Sequence, residues 1–120
     1  MKTVFLNKRI IAFDLNIAFA SKLRVIPNAT QRMIAKYYNL DPFALTDINV
    51  ICDAKSVYAY VLIESRAGAT QYDCADEAGV SYAELSVNKR ILDRERNHNS
   101  SFGSLLDGFI YSHKKSMRNV

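Results

Sequence analysis

The residues best suited to act on a partner lie between Gln71 and Arg94. If residues 81–93 form a helix, Ser81, Tyr82, Ala83, Ser86, Val87 and Lys89 stand at its start and on its outer face. Serine hydroxyls bond several base edges, alanine or valine methyls can touch a thymine methyl, and a tyrosine can bond phosphate or stack. Lys89, Arg90, Arg94 and Arg96 could hold a phosphate backbone and set register on it. Gln71, opening the preceding helix, occupies a usual place for a phosphate or base contact. Glu84 opposes this chemistry, because its carboxylate would face the polyanion unless it accepts from a cytosine amino group. The competing reading makes Lys89, Arg90 and Arg94 solvated helix charges, paired with Asp93 and Glu95.

Catalytic chemistry is poorly supplied. His98 and His113 stand fifteen residues apart, one in a polar loop and one near the end, and read as exposed surface histidines. Neither has a nucleophile or carboxylate spaced as a triad, nor a second metal ligand at i+4. Asp76 and Glu77 are adjacent, so on a helix they point to different faces. No G-x-x-x-x-G-K-[ST] loop occurs. The expectation is a protein that is not an enzyme, with no cofactor and no metal.

The elements that must position these residues are spelled out in residues 70–92, T-Q-Y-D-C-A-D-E-A-G-V-S-Y-A-E-L-S-V-N-K-R-I-L. Small Ala75 lies four residues before Gly79, and apolar Leu85 lies six after it. That is helix-turn-helix spacing. Ala75 admits the crossing of a second helix, and Gly79 can take the positive φ of a tight helix exit. Val80 plugs the turn and Ser81 can cap the next helix. The plainer alternative is a pair of packed helices with a glycine C-cap, serving as a protein-binding scaffold.

The 120 residues suffice for one domain with one core. With four glycines, two prolines and apolar residues at helical spacing, the expected fold is all-α, a compact bundle of five to six helices containing the helix-turn-helix. Cys52 and Cys74 lie in apolar stretches and read as buried thiols of a reducing, cytoplasmic compartment. The net charge of +4 is unevenly spread. Residues 1–40 carry seven Lys/Arg against one acid, a net +6. Residues 41–87 carry two against eight, a net −6, and residues 88–120 seven against three, a net +4.

Along the chain, residues 1–26 read as an apolar helix, with Ile10, Phe13, Ile17 and Ala20 on one face, which either packs on the core or supplies a dimer interface. Asp14 and Asn16 interrupt what would otherwise suggest an export signal. No stretch reaches the roughly 18 apolar residues of a membrane span. Residues 27–112 form the helix-turn-helix domain: Pro27 breaks the first helix, Asn28 or Thr30 caps the next, and Asp41 caps a short turn. Residues 46–52 are ambiguous, either extended or a packed loop. Asp53 is expected to cap a third main helix, Thr70 the first helix of the turn motif, and Ser100 or Ser101 a last helix that buries Phe102, Leu105, Leu106 and Phe109. Residues 113–120 read as a basic, frayed tail.

Two stretches together resemble a family. Residues 31–47, Q-R-M-I-A-K-Y-Y-N-L-D-P-F-A-L-T-D, are similar to the opening helices of the DNA-binding domain of the bacterial replication initiator DnaA. The apolar helix Val57–Glu64, the turn motif and the closing F-x-x-L-L of Phe102 to Leu106 follow in that domain's order. The resemblance spans roughly residues 28–110 at the level of pattern. It implies a Trp-repressor-like helical fold and an origin- or operator-binding module without the initiator's ATPase. The chain departs from that family in three ways. Residues 46–55 lack the family's basic loop, Ser81-Tyr82-Ala83-Glu84 stands where the family has its base-reading D-H-T-T run, and the turn is one residue shorter. Binding to the initiator's own DNA box is therefore not implied.

The expectation is a transcriptional or replication regulator that reads double-stranded DNA through Gln71, Ser81, Tyr82, Ala83, Ser86, Lys89, Arg90 and Arg94, as a homodimer if the first helix provides the interface. The alternative is an interaction module whose acidic segment, residues 41–87, binds or inhibits a basic protein partner.

Overall fold

The computed structural model describes residues 10–12, 27–98 and 100–118. In chain order these form a short strand β1 (Ile10–Ala12), helix α1 (Ala29–Tyr38), a 3-10 turn (Pro42–Leu45), strand β2 (Ile51–Cys52), and helices α2 (Asp53–Ser65), α3 (Gln71–Ala78), α4 (Tyr82–Asn97) and α5 (Ser101–Arg118). Apart from the antiparallel β1–β2 ladder, the described residues build a helical bundle, the expected all-α class.

Everything packs around α2. Residues 54–62 are buried on all sides, and α1, α3, α4 and α5 all lie against this helix. A helix apolar around its circumference can be stable only in this central position. Its Val57, Val61 and Leu62 meet Ile34 of α1, Leu45, Leu85 and Leu92 of α4, and Phe102 and Leu106 of α5 in one cluster. Cys52 and Cys74 are buried in the same core as free thiols.

The helix ends follow local chemistry. Asn28 caps α1 in a reciprocal box with Gln31, its side chain accepting from the Gln31 amide at 2.8 Å. Asp41 accepts from the Phe43 amide, and Ser100 from the amide of Gly103. Asp53 is not the cap it was expected to be. It is the first residue of α2, and Cys52 holds the cap position without a side-chain hydrogen bond.

Two further expectations are corrected. Residues 10–12 are extended rather than helical, because their backbone pairs with Ile51 and Cys52, and a tertiary hydrogen-bond partner overrides helical periodicity in a β-branched pair such as Ile10-Ile11. The remainder of the expected first helix, with its packing or dimer role, lies outside the described residues. The basic tail is also structured: α5 continues through Arg118, since Ile110 and His113 extend the buried stripe of Leu106 and Phe109. His113 is therefore not a surface histidine. Its Nδ1 lies 2.6 Å from Thr30 Oγ1 of α1, and its Nε2 is buried with no partner among the described residues.

The approach of α5 to α4 is close enough to exclude a side chain at Gly103, where a Cβ would lie 2.4 Å from the Glu95 carbonyl oxygen. At Gly108, on the exposed side of the same helix, a Cβ would meet nothing within 4 Å. Gly103→Ala should cost about 1–3 kcal/mol by overpacking. Gly108→Ala should instead stabilise by up to about 1 kcal/mol through helix propensity. Urea unfolding of both variants checks the pair, and equal midpoints would contradict this packing.

His113 sets a pH dependence. Burial, then the nearby Arg66 guanidinium, push its pKa below the ordinary 6.5, against a smaller upward pull from Glu77. The unfolded chain then binds more protons than the folded one just below pH 6.5, so stability should be full above that pH and decline as pH falls through the lowered value. His113→Gln should flatten this part of the unfolding-midpoint-versus-pH curve, leaving only the carboxylate losses at lower pH.

Candidate functional site

The turn between α3 and α4 is built from three residues, Gly79, Val80 and Ser81. Thr70 opens α3 by accepting from the Asp73 amide at 3.1 Å. Gly79 closes it in the left-handed region, φ 67° and ψ 34°, with its amide on the Ala75 and Asp76 carbonyls and the Val80 amide on Ala75 O at 3.0 Å. Ser81 then caps α4 by accepting from the Glu84 amide at 3.1 Å. Ala75, Ala78 and Leu85 are buried beneath the turn.

Gly79 is required twice over. Its φ suits glycine, and a Cβ there would lie 2.9 Å from the Thr46 carbonyl oxygen and 3.0 Å from Lys55 Nζ. The turn thus rests on residues 46–50, which Lys55 holds in place. The Lys55 ammonium is buried and donates to the backbone carbonyls of Asp47 and, at 2.8 Å, Val50. Burial lowers its pKa, opposed by the neighbouring Cys52, Asp47 and Glu84.

The eight residues expected to meet DNA separate into two groups. Four are engaged within the fold. Gln71 donates from Nε2 to Ser86 Oγ at 2.7 Å, tying α3 to α4, so both are half-buried. The Ser81 hydroxyl is spent on its cap, and Lys89 bonds Asp93 one turn on at 3.0 Å. The other four are open. Ala83, Arg90 and Arg94 are exposed, and Tyr82 stacks on Tyr72 with ring centroids 4.0 Å apart and planes 18° from parallel. Arg90 and Arg94 form no ion pair among the described residues, so the expected pairing with Asp93 and Glu95 is realised by Lys89 alone.

Arg96 also belongs to the fold. It bonds Glu64 of α2 at 2.9 Å, Asp107 of α5 at 2.8 Å and the Tyr60 hydroxyl at 3.1 Å. Tyr60 in turn donates to Asp93 at 2.6 Å, and Asn88 of α4 donates to the buried Ser56 hydroxyl at 2.8 Å. Glu77 is turned towards α2, where Arg66 grips both its oxygens and Tyr58 donates to one.

Sequence reasoning missed Tyr72, Ile48 and Ile51. With Val80 and Tyr82 they line a cleft of about 450 Å³ between residues 46–52, α3 and the start of α4. The available signal was an apolar pair in a segment too short to bury both faces. Among the described residues no group of three His, Cys, Asp or Glu side chains converges as a metal site, and no helix is long and apolar enough to cross a membrane. Comparison with protein-family models, curated proteins and solved structures returns no match for the chain.

Gly79→Ala should lower stability by about 1–3 kcal/mol, the usual cost of a strained left-handed non-glycine residue. Chemical unfolding measures it. An unchanged midpoint would mean that the turn does not press on Thr46.

Proposed function

We propose that this chain is a helix-turn-helix regulator of transcription or replication that lays α4 in the major groove of double-stranded DNA. The observation that carries the reading is the lopsided burial of α4. Of its 16 residues only Leu85 and Leu92 are buried, and Ala83, Val87, Arg90 and Arg94 form an exposed stripe along its outer flank. Methyl groups near the helix start and guanidinium groups further along match thymine contact followed by phosphate contact. The three-residue turn and the resemblance of residues 28–110 to the DnaA DNA-binding domain support the same reading, which implies a cytoplasmic chain. Ala83, Val87, Arg90 and Arg94 carry the contact, while Gln71 and Ser86 tie the helix to α3, Ser81 caps it, Lys89 pairs with Asp93 and Tyr82 is stacked on Tyr72.

A second reading, a protein-interaction module using the acidic segment 41–87, is favoured by the exposed carboxylates Asp73, Asp76 and Glu84 at the start of the α3–α4 pair.

A titration of the purified chain against random-sequence duplex DNA separates the two. Micromolar or tighter binding at low salt is expected, weakening by about tenfold or more as salt rises to a physiological level. Arg90→Ala with Arg94→Ala should weaken binding and leave the unfolding midpoint in place, whereas Arg96→Ala should lower the midpoint. Absence of binding at low salt removes the DNA reading, and the solution mass read alongside reports whether a dimer is the binding species.

A further inference from the structure

The cleft beside the turn has a composition that the DNA reading does not use. Seven large apolar side chains are exposed among the described residues, and four of them, Ile48, Ile51, Tyr72 and Tyr82, line this one cleft. Ile48 is 78% exposed and Tyr72 is 63% exposed, values unusual for residues held on a folded segment and a helix. Scattered singly they would need no explanation, but a contiguous apolar patch rimmed by charge marks an interaction surface.

The charge at that rim has one sign. Asp76 and Glu84 are exposed lining residues, contributed by α3 and α4 respectively. Lys55 is the one cation among the described lining residues, and its ammonium is buried against the carbonyls of Asp47 and Val50. Among the described lining residues, an incoming polyanion would meet two exposed carboxylates, with the Lys55 ammonium buried beneath them. A lysine or arginine would meet them with its charge matched and its methylene stem against tyrosine and isoleucine. The walls are also firm. Tyr72 and Tyr82 hold each other by stacking, Gly79 fixes the turn, and Lys55 fixes residues 47–50.

We propose that this cleft is a docking site for a short segment of another protein in which basic residues alternate with branched apolar ones. The apolar residues would sit between Ile48, Ile51 and the tyrosine pair, and the basic residues would reach Asp76 and Glu84. The inference rests on the second reading above and gives it a location. It does not depend on the DNA stripe of Arg90 and Arg94.

The test uses the full chain, isotopically labelled for amide spectra, and a short fluorescein-labelled peptide alternating lysine with isoleucine. A matched peptide carries glutamate in place of each lysine. Binding of the basic peptide alone is expected, with amide shifts centred on Ile48, Ile51, Tyr72, Asp76 and Tyr82. Asp76→Asn with Glu84→Gln should weaken it about tenfold, as loss of paired rim charges does. Ile48→Ser, at an exposed position that folding does not need, should weaken it independently.

Binding that survives both variants, or shifts centred elsewhere, would overturn the placement while leaving an acidic-surface reading intact. Failure of the basic peptide to bind at all would remove both. Self-association of the unmodified chain that Asp76→Asn with Glu84→Gln abolishes would assign the cleft to a second copy and overturn the proposal.

Discussion

The structure depends on the polar side chains of a helix that has no solvent-facing side. Burying α2 places Lys55, Ser56, Tyr58 and Tyr60 in the core, each exposed by no more than 1%. An unsatisfied polar group there costs roughly 1–3 kcal/mol, so each must find a partner. Each finds it outside α2, and two of them find it on α4. Lys55 takes the carbonyls of residues 47 and 50, and Ser56 takes Asn88 of α4. Tyr58 joins the Asn28 cap of α1 to Glu77 of α3, and burial pushes its hydroxyl pKa up to about 12, so it stays a donor. Tyr60 joins Asp93 and Arg96 of α4. Apolar contacts bring the helices together, and these four residues help specify where residues 47–50, α1, α3 and α4 sit.

That division explains what could be read from the sequence. Features decided within a few residues were legible: the Asn28, Asp41, Thr70 and Ser81 caps, the left-handed Gly79, and the inward face of α5 at Phe102, Leu106 and Phe109. Features decided by a distant partner were not. Ile10–Ala12 has helical company in sequence but pairs with a strand far along the chain. His113 sits among lysines that suggest solvent, yet Thr30 of α1 receives it. In the site, Lys89 and Arg90 are adjacent and chemically alike, and only the position of Asp93 separates a tied ammonium from an open guanidinium.

The polar clamps also account for why α4 is available to a partner. Two leucines would hold a 16-residue helix poorly by hydrophobic burial alone. Gln71 on Ser86, Ser56 on Asn88, and Tyr60 with Arg96 add directional restraints along its length. A long helix can therefore be fixed in orientation while most of its circumference stays unburied, a combination suited to presenting side chains to something else.

Which partner α4 would suit turns on the opposed charges at its two ends. Its first turn carries Glu84 and shares the cleft with Asp76 of α3, whereas Arg90 and Arg94 occupy its second half. A duplex approaching the helix start in the manner of a groove reader would bring phosphates towards the carboxylates before the arginines engage, a repulsion that matters most within a Debye length of about 10 Å. The arrangement therefore suits DNA only if the helix enters at an angle that keeps the Asp76–Glu84 rim outside the groove and uses Ala83, Val87, Arg90 and Arg94 along its side. Under both proposals the cleft draws on Tyr82 and Glu84 of α4 and the stripe on Ala83, Val87, Arg90 and Arg94, so a basic segment seated in the cleft would lower the very repulsion that opposes DNA. The expected sign of coupling between the two sites is then positive: peptide in the cleft should tighten DNA binding, and by linkage DNA should tighten the peptide by the same factor.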